Sequence, residues 1–171
     1  MRIFLLGFMG SGKSFSGKRL AEKFGMSFID LDDYIEEQEG RTIREIFEQE
    51  GEPYFRKVEK ECLHEMGEKN MTIISTGGGT PCFFDNMEWM NENGITVFLD
   101  TSVEILTNRL LDEMQKRPLL KGFSREGLKI FIKKKLEERN PFYHQTQILY
   151  HQKEEGQDVA DELRKYFFRI M

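Results

Sequence analysis

Gly7-Phe8-Met9-Gly10-Ser11-Gly12-Lys13-Ser14 fits G-x-x-x-x-G-K-[ST] and directly follows the apolar run Ile3-Phe4-Leu5-Leu6. A strand, a glycine-rich turn and a helix start in that order make an anion site. Glycines let backbone N–H groups turn inward, and the helix N-terminus adds its dipole to the same point. Lys13 is placed to reach the β- and γ-phosphates and the Ser14 hydroxyl to ligate Mg²⁺. The motif therefore predicts a nucleoside triphosphate site contacted by Gly10, Ser11, Gly12, Lys13 and Ser14.

Other residues carry charge where a fold would not ordinarily place it. Asp30 and Asp32 close the second apolar run, at the strand end where α/β sheets gather ligands. If the strand persists, their i, i+2 spacing points both the same way. One would hold Mg²⁺ through water and the other accept a proton from a substrate hydroxyl; a plain helix cap at Asp32 or Asp33 is the alternative. In 52–66, Phe55, Val58, Cys62, Leu63 and Met66 form an apolar stripe at helical spacing, with Glu59 inside it and Arg56 at its edge. A carboxylate aimed at a core must be paired, so Arg56, one turn earlier, is read as its partner. That leaves either a surface ion pair or an arginine held rigid to grip an anion. Arg139 shares the face of Leu128, Phe131, Ile132 and Leu136, and it too requires a counter-anion. Two guanidinium groups on one carboxylate-sized ligand is the sharper reading of the pair. Ser75-Thr76-Gly77-Gly78-Gly79 offers close backbone approach after a third apolar run, or else a flexible turn. Arg117, in Arg117-Pro118-Leu119-Leu120, would swing onto a transferring phosphoryl group. Arg109 would lie against a nucleotide base or on the surface.

The elements that must position these residues follow from periodicity. Strands are predicted at 2–6, 27–30, 72–75, 96–99 and 147–151. A helix opens at Lys13, packs Gly17, Leu20, Ala21 and Phe24 inward, and stops at Gly25. Further helices are predicted at 33–39, 43–50, 52–66, 84–93, 103–111, 125–139 and 158–168, with Asn140-Pro141 ending or bending the penultimate one. The alternation is that of a parallel α/β sheet. The polar stretch 112–124 reads as a long lid loop.

Composition bounds the rest. With 171 residues, 25 Lys and Arg against 30 Asp and Glu, and a net charge of −5, a single mildly acidic domain is expected, without the basic face that nucleic-acid binding requires. No apolar run is long enough for a transmembrane helix, and the chain enters its first strand without a basic leader. A cytoplasmic setting is expected, with Cys62 and Cys82 as ordinary reduced thiols. Nothing suggests an obligate interface, so a monomer is the default.

Taken together, the residues resemble the shikimate kinase family, within the nucleoside-monophosphate-kinase-like branch of phosphate-loop kinases. The resemblance rests on residues 7–14, Phe28-Ile29-Asp30-Leu31-Asp32-Asp33-Tyr34-Ile35-Glu36, Gly40-Arg41-Thr42-Ile43, Phe55-Arg56-Lys57-Val58-Glu59, Ser75-Thr76-Gly77-Gly78-Gly79, Arg117-Pro118-Leu119-Leu120 and Arg139-Asn140-Pro141-Phe142-Tyr143, in the family's order. It implies a three-layer α/β fold with a five-stranded parallel sheet flanked by helices and a lid. The core would comprise 1–30, 71–110 and 145–171, the substrate-binding region about 31–65 and the lid about 112–124. It implies ATP-dependent phosphorylation of the 3-hydroxyl of shikimate, with Mg²⁺. Asp32, Arg56, Glu59, Gly77, Gly78, Gly79 and Arg139 would form the shikimate site, Arg56 and Arg139 on its carboxylate and Asp32 on a ring hydroxyl. Asp32, Lys13 and Arg117 would be catalytic, and Ser14 and, through water, Asp30 would hold the metal. Phe15 stands where the family commonly has a small hydroxyl residue, so α-phosphate contacts are expected to differ. The turn 150–157 lacks the family's usual Asp/Thr pattern, which leaves the adenine contacts beyond Arg109 unassigned. A gluconate kinase and a catalytically dead nucleotide-binding regulator are the competing readings.

Overall fold

The computed structural model describes residues 1–114 and 120–170. Five strands, β1 (Arg2–Leu6), β2 (Ser27–Asp30), β3 (Thr72–Ser75), β4 (Ile95–Thr101) and β5 (Ile148–Gln152), form one sheet in the order β2-β3-β1-β4-β5, every pair parallel. Because side chains alternate across a strand, β1 serves two cores. Ile3 and Leu5 pack with α1 (Lys13–Phe24) and α8 (Val159–Ile170) on one face. Phe4 and Leu6 pack with α2 (Leu31–Glu39), α3 (Ile43–Glu50), α4 (Glu52–Glu65) and α5 (Asn86–Asn93) on the other. A third cluster, with Phe8, Leu110, Leu128 and Ile132, joins α6 (Val103–Glu113) to α7 (Arg125–Tyr143) beside the phosphate loop. The three-layer, five-stranded parallel architecture is the expected one, and no helix among the described residues is long and apolar enough to cross a membrane.

Gly17 fixes how closely α1 lies on the sheet. A Cβ there would sit 2.6 Å from the Phe28 ring and 3.0 Å from Leu5. Gly17→Ala is therefore expected to lower stability by about 1–3 kcal/mol through overpacking, read as a lower denaturation midpoint at unchanged m-value. α1 ends where predicted, with Gly25 in the left-handed conformation at φ 62°.

Several boundaries differ from expectation for identifiable reasons. β2 ends at Asp30, and α2 starts at once, because the Asp30 carboxylate accepts the Asp32 N–H at 3.1 Å and caps the helix. Asp32 thus lies in the first helical turn, not on a strand beside Asp30, and neither it nor Asp33 is the cap. α7 runs through Pro141 to Tyr143 instead of stopping near Arg139. Proline forfeits a helical hydrogen bond, but the last turn is held from outside. Tyr143 is fully buried, with its ring 4.6 Å from that of Phe98. Within 112–124, residues 112–113 belong to α6, Leu120 is buried in the third cluster and Ser124 caps α7. Arg117 lies outside the described residues.

Candidate active site

A cleft of about 780 Å³ opens at the carboxyl ends of the strands, between the phosphate loop, Asp30, Asp32, the glycines after β3, and the 152–160 turn. Gly10 and Gly12 hold φ of 80° and 86°, values that side-chain-bearing residues rarely adopt. α1 has no side-chain cap, and a helix N-terminus presents backbone N–H groups suited to an anion. The Lys13 ammonium donates to the carbonyls of Gly7 (2.7 Å) and Phe8 (3.1 Å), folded onto the loop that phosphates would occupy.

The Ser14 hydroxyl donates to Asp30 and lies 3.3 Å from the Ser75 hydroxyl. A hydroxyl backed by a carboxylate is a hard oxygen donor set, which fits Mg²⁺. No group of three or more His, Cys, Asp or Glu among the described residues could hold a metal by itself. Mg²⁺ here would thus take its remaining ligands from phosphate and water. Asp30 serves twice, one oxygen toward Ser14 and the other on the α2 backbone.

Facing this half, Gly77-Gly78-Gly79 passes beneath three charged side chains. A Cβ on Gly77 would lie 3.0 Å from the Asp32 carboxylate, on Gly78 2.9 Å from the Arg139 guanidinium, and on Gly79 2.7 Å from the Arg56 guanidinium. None of the three adopts positive φ. These glycines are present because functional groups occupy the space of their side chains. Since consecutive Cα atoms are about 3.8 Å apart, one tripeptide brings a carboxylate and two arginines from α2, α7 and α4 to one place. The Cβ of Gly78 would also be 3.5 Å from the Gly7 carbonyl and 3.7 Å from the Met9 nitrogen, so this place adjoins the phosphate loop.

Arg56 is rigidly held. It pairs with Glu59 at 2.8 Å and Glu52 at 3.2 Å, and its guanidinium lies 4.0 Å from the Phe83 ring centre. Glu59 is 1% exposed, and its other oxygen accepts the Thr80 hydroxyl at 2.6 Å. The surface-pair alternative for Arg56 and Glu59 is thereby set aside. Arg139 rests 5.3 Å over the Phe8 ring. Burial raises the Asp32 carboxyl to about 6, with Asp30 and Glu59 adding to the effect and Lys13 opposing it. A carboxylate tuned this high matches the range in which general bases work.

Arg109 donates to the Gly10 carbonyl at 3.0 Å and pairs with Glu155 at 2.9 Å, spanning from the phosphate loop to the 152–160 turn. Phe15 is 67% exposed beside the same cleft, under the Arg19 guanidinium. Cys62 is buried and its thiol pushed up to about 11 by that burial, while Cys82 is half-buried; both are free. Sequence reasoning gives no role to Thr80, Phe83 and Tyr143, whose work lies in contacts between distant elements. For Tyr143 the signals were its place in the segment 139–143 and its position four residues after Arg139.

A parallel sheet with a phosphate loop on its central strand, facing a pocket built from a carboxylate and two arginines, belongs to the class of phosphate-loop kinases for small anionic acceptors. The family model for shikimate kinase matches residues 9–167. A shikimate kinase of Parabacteroides distasonis is 52% identical over 149 residues, 87% of this chain and 86% of that one. The crystal structure of shikimate kinase from Bacteroides thetaiotaomicron superposes with a TM-score of 0.91 at 43% identity, covering 100% of this chain and 99% of the other. The solved structure of shikimate kinase from Acinetobacter baumannii in complex with shikimate gives 0.88 at 33% identity, covering 99% and 93%. The chain belongs to the shikimate kinase family.

Proposed function

We propose that the two halves of the cleft divide one reaction between them: the ATP-dependent phosphorylation of shikimate to shikimate 3-phosphate, the step of aromatic amino acid biosynthesis that family membership gives this chain. The loop 10–14 binds the triphosphate, with Lys13 moving from the loop carbonyls onto the β- and γ-phosphates. Ser14 and, through water, Asp30 would hold Mg²⁺, which would supply charge neutralisation and alignment of the phosphates. Arg56 and Arg139 grip the acceptor's carboxylate, with Glu59 keeping Arg56 in its pose. Asp32 orients the 3-hydroxyl and takes its proton as the oxygen attacks phosphorus. Arg109 and Phe15 border the nucleoside, and Arg117 contacts the transferring phosphoryl group. The reaction is carried out by a monomer, in the cytoplasm, by a single domain whose region 31–65 holds the acceptor.

The observation that supports this division most directly is the glycine tripeptide, which sets Asp32, Arg139 and Arg56 beside successive residues at the edge of the phosphate loop. A coupled assay for ADP release across a panel of hydroxy acids tests it. Turnover with shikimate and background rates with gluconate are expected. Turnover of gluconate alone would overturn the acceptor assignment, and nucleotide binding without acceptor-stimulated ADP release would favour a regulator.

A further inference from the structure

We propose that Tyr143 is a positioning residue for the acceptor half of the site, its hydroxyl fixing the Gly78–Gly79 peptide against which Arg139 lies. Tyr143 and Arg139 are four residues apart on α7 and so share a face. The Tyr143 hydroxyl donates to the Gly78 carbonyl at 2.6 Å, and the Arg139 guanidinium lies against the same residue, 2.9 Å from where a Cβ on Gly78 would stand. A carbonyl oxygen can only accept. The direction is therefore fixed: Tyr143 to Gly78. Because a peptide unit is planar, holding the Gly78 carbonyl also sets the direction of the Gly79 N–H.

The ring is placed to do this with little freedom. It is fully buried, packs against Phe98 on the central part of the sheet, and is reached only because α7 continues past Pro141. Burial pushes its hydroxyl up to about 12, so it stays a neutral donor throughout the working pH range. Arg139 thus lies against a glycine peptide held in place by Tyr143, while Arg56 is held directly by Glu59. The two arginines then present fixed forks to a planar carboxylate, and less ordering is required on binding.

This inference rests on the proposal that Arg139 binds the acceptor's carboxylate, and the test separates the two. Tyr143→Phe keeps the buried ring and removes only the hydroxyl. It is expected to raise the KM for shikimate about five- to tenfold, the effect of one hydrogen bond to the glycine peptide. kcat and the KM for ATP should stay within about twofold of wild type. Arg139→Ala is expected to lower kcat/KM for shikimate more strongly. Adding Tyr143→Phe to Arg139→Ala should then change kcat/KM by less than about threefold, because the tyrosine acts through the arginine. If Arg139→Ala left shikimate kinetics unchanged, the carboxylate clamp itself would be wrong. If Arg139→Ala had its effect but Tyr143→Phe lowered only thermal stability, or the two effects multiplied, Tyr143 would be a structural residue and this proposal would fall.

Discussion

Asp32→Asn is expected to lower kcat by about 10²–10⁴-fold, the usual contribution of a positioned general base, while leaving the KM for ATP near wild type. The substitution keeps the shape of the side chain beside Gly77 and removes its capacity to take a proton. In the wild-type enzyme the same group is expected to set the acid limb of the pH profile. With the carboxyl raised to about 6, kcat/KM for shikimate should fall tenfold per pH unit well below that value. Asp32→Asn should abolish this limb, and a limb that survived the substitution would assign it to another group.

Stability should move the opposite way from activity. An acid whose folded-state value is raised above its unfolded value of 3.8 disfavours the folded state when ionised. The penalty is complete above about pH 6, diminishes as the pH falls, and is gone below about pH 4. A shift of this size corresponds to a cost on the order of 2–3 kcal/mol near neutrality. Asp32→Asn should therefore stabilise the protein at pH 7 and lose that advantage near pH 4, as followed by thermal melting. Activity maintained at the expense of stability is common at such sites.

What the sequence disclosed and withheld follows from how each residue signals itself. The phosphate loop was legible because its geometry needs contiguous residues, and Glu59 and Arg139 because a charge on an apolar stripe breaks a period that can be counted. Thr80 gave no such sign. Its hydroxyl is buried by a contact to Glu59 21 positions away, and a threonine among glycines breaks no pattern. The glycines are read from sequence as allowing close backbone approach; what crowds them in the fold is the space taken by Asp32, Arg139 and Arg56, which depends on three helices arriving together. The end of α7 was misread for a related reason. Local preference at Asn140-Pro141 favours a stop, and the buried Tyr143 overrides it from outside the segment. Asp30 was assigned to metal alone because its second role, capping α2, appears only once the strand is seen to end there.

Arg56→Ala is expected to act on both function and folding, and the two effects can be separated. Removing the guanidinium should raise the KM for shikimate about 10²-fold, with the KM for ATP unchanged, since a charged hydrogen-bonded pair with the carboxylate is lost. It also strands Glu59, which is 1% exposed and, among the described residues, keeps only the Thr80 hydroxyl as a partner on its other oxygen. Breaking a buried ion pair from one side costs about 3–5 kcal/mol, so a large drop in the denaturation midpoint should accompany the kinetic defect. Removing both charges is much milder than removing one. Arg56→Ala with Glu59→Gln should recover most of the stability and none of the shikimate affinity. Arg139→Ala provides the contrast, because no buried carboxylate depends on it among the described residues; there the KM should rise without a comparable loss of stability. Recovery of shikimate affinity in the Arg56→Ala, Glu59→Gln double variant would mean that Arg56 serves the fold alone and that the acceptor's carboxylate lies elsewhere.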